Sequence, residues 1–157
     1  MITINRQEAD NISGILTVSF LDVNDIVFIP PQVDHIITES DIIIRSGASW
    51  LYFYGTPESI GFSCQSEEDN AGTTFTPALT LKYPREAAEI VAALEDMARR
   101  PMILITEDSN GIRKILGDVK NPMRMMFNPV KPAEAAGYNG YEVTFSGRYT
   151  HTPYLLV

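Results

Sequence analysis

Residues 105–118, ITEDSNGIRKILGD, set Glu107, Asp108, Asn110 and Asp118 around Gly111 and Gly117, a density of oxygen ligands that raises calcium chemistry first. An EF-hand loop needs D-x-[DN]-x-[DN]-G with a bidentate Glu six residues after the Gly. Here Thr106 stands at the first ligand position and Gly117 at the last, so two carboxylates are missing. A phosphate loop fails as well, because Gly111 is not followed by Gly-Lys-Ser/Thr. What remains is Asn110-Gly111 between two apolar runs, MILIT and IRKIL. That dipeptide predicts a two-residue type I′ hairpin turn. Asn139-Gly140, ahead of YEVTFSG, reads the same way.

The two histidines, His35 and His151, are candidates for general acid–base work, and Ser40 or Ser49 would complete a triad with Asp34 on paper. No G-x-S-x-G elbow surrounds either serine, so both histidines are read as structural. Glu67-Glu68 and Glu107-Asp108 are adjacent acid pairs, but a glycosidase needs two carboxyls facing each other across a cleft. Cys64 has no basic sequence neighbour to lower its pKa and is read as an inert thiol. One cysteine and two histidines exclude a zinc site of the usual kind. No catalytic, cofactor-binding or metal-ligating residue is assigned.

Two stretches carry binding potential. In SWLYFYG, strand alternation would put Trp50, Tyr52 and Tyr54 on one face and Leu51 and Phe53 on the other. Such a row suits a carbohydrate platform or a subunit interface, where Trp and Tyr are favoured anchors. It equally suits a central strand buried on both faces. SEEDNAGT, residues 66–73, is expected to be a projecting loop, with Glu67, Glu68 and Asp69 as candidate interaction residues. NPVKPAEAAGYNG, residues 128–140, is expected to be a second mobile loop.

The elements that must position these residues are mostly strands. GILTVSFL, DIVFI, DIIIRS, WLYFY, ALTLKY, MILIT, IRKIL, MRMMF and YEVTFSG are short runs rich in β-branched and aromatic residues, bounded by Gly, Pro, Asn or Asp. The one strong helical pattern is YPREAAEIVAALEDMARRP. Its Ile90, Val91, Leu94 and Ala98 recur at helical spacing, Pro84 fits the first turn, and Pro101 stops the helix. Glu95–Arg99 and Asp96–Arg100 are expected i,i+4 pairs. The predicted fold is mainly β within the α+β class: an antiparallel β-sandwich or open barrel with one packed amphipathic helix, over a single domain spanning 1–157.

Composition agrees with a globular chain. Of 157 residues, 20 are acidic and 12 are Lys or Arg, for a net charge of −8. Residues 1–80 hold 11 acids against Arg6 and Arg45, whereas residues 81–157 hold 9 acids against 10 bases. The basic cluster Arg113, Lys114, Lys120 and Arg124 is small and interspersed with acids, so specific nucleic-acid binding is not expected. No apolar stretch reaches the ~18 residues of a membrane span. MITINRQEADN lacks the basic-then-apolar layout of a signal peptide, so the chain is expected to be made and kept in the cytoplasm unless an assembled particle carries it out.

In order and spacing, GTTFTPALTLKYP, the helix REAAEIVAALEDMARRP, MILITEDSNGIRKILGD, NPMRMMF and NGYEVTFSG, over residues 72–150, resemble small structural proteins of phage and prophage tail or head–tail gene clusters. The resemblance is to the tail-tube and tail-terminator class. It implies a β-sandwich or barrel with one flanking helix that assembles into rings. The implied partners are further copies of the chain and other virion proteins, with no enzymatic activity, no cofactor and residence in a virion or tail-like particle. The competing reading is a monomeric β-sandwich ligand-binding module, such as one for carbohydrate, with Trp50, Tyr52 and Tyr54 as its platform.

Overall fold

The computed structural model describes residues 14–133 and 137–157. The expectation drawn from MITINRQEADN, and the middle of the second expected loop, fall outside them. Short β-branched runs form β1 (Ile15–Asp22), β2 (Ile26–Phe28), β3 (Ile36–Ile37), β4 (Ile43–Ile44) and β5 (Leu51–Tyr52). The hairpin of β6 (Gly61–Asp69) and β7 (Gly72–Pro84) precedes α1 (Ala88–Ala98), and β8 (Met102–Asp108), β9 (Arg113–Leu116), β10 (Arg124–Val130), β11 (Gly140–Ser146) and β12 (Tyr154–Leu156) follow. The fold is mainly β with one α-helix among the described residues. Every strand pair is antiparallel except β12 with β3.

A six-stranded sheet, β3-β12-β9-β8-β1-β5, faces a four-stranded sheet, β10-β11-β7-β6. Between them Val18, Leu104 and Leu116 of the first meet Leu79, Leu81, Val143 and Phe145 of the second in the larger core. On the far face of the six-stranded sheet Leu21, Ile103, Ile105 and Ile115 pack against Ile26, Ile42, Ile44 and Trp50. There the β2–β4 pair and the chain around it form a third layer. Over Met102–Thr106 strand β8 therefore has no solvent face, which is why MILIT is apolar without alternation. The doubly covered strand is β8, whereas WLYFY supplies only a two-residue edge strand, β5.

The helix starts later than its sequence pattern. Pro84 ends β7 instead of opening the helix, Arg85 turns the chain at φ +67°, and Ala87 caps the helix without a side-chain hydrogen bond. The run of β7 into Pro84 is held by its pairing with β11 through Gly140, a tertiary contact that outweighs the helical propensity of the first residues. From Ala88 the periodicity is obeyed. Leu94 is 3% exposed in the larger core, and Ile90, Val91, Met97 and Ala98 pack beside it. Arg99–Glu95 and Arg100–Asp96 form at 4.0 and 2.9 Å, and Arg100 also reaches Asp22 at 3.3 Å, pinning the helix end to the end of β1.

The third layer is clamped by a two-pronged ion pair between Arg113 on β9 and Glu39. Both guanidinium NH2 groups donate, Arg113 Nη2 to Glu39 Oε1 at 2.9 Å. That hydrogen bonding, aided by the nearby charge and opposed by burial, holds the Glu39 carboxyl below its ordinary value of 4.5.

Two consequences are measurable. Leu94→Ala should cost about 2–5 kcal/mol in urea unfolding, the range for emptying a buried leucine site; a near-zero change would contradict the packing of α1. For Glu39 the folded pKa lies below the unfolded one, so its contribution is complete above pH 4.5 and is lost as pH falls through the folded value. Urea midpoints of wild type and Glu39→Gln should therefore differ by a constant amount near neutrality and converge in acid.

Candidate functional site

Between β8 and β9 the residues first suspected of binding calcium build a turn. Asp108 Oδ1 accepts the backbone N–H of Asn110 at 2.8 Å and of Ile112 at 2.9 Å, and Gly111 N–H donates to Asp108 O at 3.0 Å. In this turn only Gly111 has positive φ, +75°. The expected type I′ turn is thus replaced by the three-residue form, a turn closed by a left-handed glycine. The Asp108 carboxylate supports this form by accepting the N–H groups of Asn110 and Ile112, and Asn110 does not take positive φ. At Asn139-Gly140 no tight hairpin forms, since Gly140 already lies in β11, opposite Val130. A Cβ there would stand 2.2 Å from Tyr83 O, so the glycine serves close backbone approach. The two-residue primed turn occurs at Asp34-His35, where φ is +52° and +67° and Val33 and Ile36 exchange both backbone bonds.

The expected acidic loop is a hairpin. Glu67, Glu68 and Asp69 are the last residues of β6, paired with Thr74, Thr73 and Gly72 of β7. Strand β11 pairs β7 only over residues 78–84, and one further bridge joins Phe75 to Tyr149. Beyond Phe75 the hairpin continues as a two-stranded arm with no third strand among the described residues. Asp69 is committed at the tip: Oδ1 accepts Ala71 N–H at 2.7 Å, and Oδ2 lies 3.7 Å from Arg148. Glu67 and Glu68 are exposed and have no cation partner among the described residues.

The aromatic row is divided by the fold. Trp50 packs with the third-layer cluster, while Phe53 is buried in the larger core. Tyr52 and Tyr54 stay 67% and 55% exposed and border a cleft of about 240 Å³ with Phe20, Tyr83, Ile90 and Met97. Three rings in a line are not presented, because the chain leaves strand geometry after Tyr52.

The histidines, 116 positions apart, meet at one tyrosine. Tyr154 stacks on His151 with ring centroids 4.2 Å apart and receives His35 edge-on at 4.8 Å. His35 Nε2 lies 3.1 Å from Pro153 O and 3.0 Å from Thr152 Oγ1, so neither Ser40 nor Ser49 holds it. The parallel pairing of β12 with β3 makes this meeting, and no local motif announces it. A cleft of about 420 Å³ bordered by His151, Tyr154, Lys120, Pro30 and Pro31 adjoins it. Burial pushes the Cys64 thiol above its ordinary value, with Lys114 opposing. Among the described residues no three His, Cys, Asp or Glu side chains are grouped to hold a metal, and no helix is long and apolar enough to cross a membrane.

Asp108→Ala should lower stability by about 1–2 kcal/mol, through loss of two hydrogen bonds to an anionic acceptor, and by the same amount with or without millimolar calcium in a thermal melt. A calcium-dependent rise in Tm that vanishes in the variant would overturn the turn assignment. Searches against known protein families, curated proteins and solved structures find no match, so the functional reading rests on the chain itself.

Proposed function

We propose that this chain is a non-enzymatic structural protein of phage or prophage virions, of tail-tube, tail-terminator or connector type, that self-assembles through sheet edges and the β6–β7 arm. The observation that carries the reading is the arm itself. A two-stranded ribbon is marginally stable alone in water, and this one carries Glu67 and Glu68 beside its tip with no cation partner for either among the described residues. Such an element gains a function when a neighbouring subunit covers it. Complementary charge is available on the C-terminal half, where Lys120 and Arg124 have no acidic partner among the described residues. Lys114 is likewise without a carboxylate partner among the described residues. An assembly can combine isologous contacts of like surfaces with contacts between unlike surfaces, the latter generating rings or stacks.

The acidic balance fits an assembly that passes DNA, since acids lining a lumen repel phosphates. The implied partners are other copies of the chain and neighbouring virion proteins. Residence follows the same order, cytoplasmic at synthesis and in the particle after assembly. The ligand-binding alternative loses its strongest support with Trp50, which packs against the third layer and leaves only Tyr52 and Tyr54 outside.

Light scattering over a range of protein and salt concentrations should give a mass well above that of one 17.5 kDa chain. In Glu67→Lys/Glu68→Lys, which spares the Asp69 tip contact, the fold should be kept while assembly weakens and its salt dependence changes. If the arm instead lines a lumen, assembly should survive and the particles should retain DNA. A wild type that stays monomeric at every concentration, or a variant unchanged in both mass and DNA retention, would overturn the proposal.

A further inference from the structure

Sheets in native proteins guard their edges with charge, proline, bulges or cover. Strand β6 pairs with β7 alone, and among the described residues no strand meets its outer edge. Its first six residues, Gly61 to Ser66, read GFSCQS, without charge or proline, and their pairing with β7 runs without a register shift. The acids begin only at Glu67. Six residues of bare edge followed by three acids is an unguarded pairing surface with a charged end.

We propose that this edge pairs antiparallel with the same edge of a second copy, about a two-fold axis at Gln65. The proposal deepens the assembly reading and rests on it for the identity of the partner. All nine residues of β6 can take part, because the segment is complementary to itself about its centre. In this register Gly61, Phe62 and Ser63 stand opposite Asp69, Glu68 and Glu67 of the second copy. No acid faces an acid, a pairing that would be destabilising. Phe62 and Cys64 are the partly buried residues of β6, and Glu68, at even spacing, shares their face.

A cation waits at the matching place. Lys114 Nζ lies 5.3 Å from the centroid of the Phe62 ring and has no carboxylate partner among the described residues. Directly opposite residues in an antiparallel pair have Cβ atoms about 4.5–5.5 Å apart. Glu68 of the second copy, opposite Phe62, therefore comes within side-chain reach of Lys114. The two-fold repeats the contact, giving two ion pairs that flank the joined strands. The result is an eight-stranded sheet across two copies, an isologous contact.

The axis position gives a direct test. In a Cys64→Ser/Gln65→Cys double variant, two copies of residue 65 would face each other with Cα atoms about 4.5–5.5 Å apart, inside the span a disulfide bridges. Mild oxidation should link most of the protein into dimers, whereas Cys64→Ser/Thr80→Cys, exposed on the interior strand β7, should remain unlinked. Lys114→Glu should weaken association roughly two- to fivefold, as for a solvent-accessible ion pair, and adding Glu68→Lys should restore it. Assembly without the residue-65 link, in a variant that keeps the wild-type mass, would overturn β6 pairing and leave the assembly reading standing. A monomer at every concentration would overturn both.

Discussion

From Met102 to Thr106 strand β8 has no face toward water, and the layers on either side of it are arranged to satisfy that condition. Met102 and Leu104 point into the core shared with the four-stranded sheet, while Ile103 and Ile105 point into the cluster under the third layer. Neither layer alone could bury the strand. The chain from Val23 to Trp50 contributes little regular structure, yet its isoleucines complete the second cluster and convert a two-layer sandwich into three layers. The helix makes the same kind of contribution at one side, where Leu94 enters the larger core and Arg100 anchors the turn into β8 through Asp22 and Asp96. Burial of continuous apolar surface is the dominant favourable term here, as in folding generally.

The acids of the turns answer to the backbone. Asp22 accepts from Asn24 N–H, Asp69 from Ala71 N–H, Asp108 from Asn110 and Ile112 N–H, and Asp118 from Lys120 and Asn121 N–H, all between 2.6 and 2.9 Å. Each carboxylate satisfies donors that a strand end leaves open, the side-chain turn chemistry characteristic of aspartate. Among the described residues no three such acids are grouped to hold a metal, and these four aspartates are committed to local N–H groups instead. The glutamates behave differently. Glu39 and Glu86 reach across the structure to Arg113 and Lys131, and Glu67 and Glu68 have no cation partner among the described residues.

Three exposed features of the described residues lie where sheets end. The arm of β6 and β7, the edge at β5 with Tyr52 and Tyr54, and the cleft beside the His35–Tyr154–His151 stack lie at boundaries of layers, not over a single deep cavity. The assembly proposal draws on the first of these, the arm, whose outer edge meets no strand among the described residues.

The amino-acid sequence by itself determined the elements whose signals are local. The apolar periodicity around Leu94 marked the helix, the runs MILIT and YEVTFSG marked strands, and a turn had to fall near Gly111 because only glycine takes positive φ there without strain. Where an element stopped was decided by tertiary contact: β7 extends through Pro84 because β11 pairs with it, and the acidic stretch becomes an arm because β6 stays in register with β7 to Asp69. Contacts between distant positions were likewise invisible in the sequence. Trp50, Tyr52 and Tyr54 obey strand alternation on paper, yet only Leu51 and Tyr52 pair, so the three rings part. His35 and His151 share Tyr154 only because β12 lies parallel to β3. Local signals survive in sequence because they follow from steric and solvation preferences of neighbouring residues. Register, edges and meetings across the sheet depend on which distant strands pair, and that is settled by the packing of the whole chain.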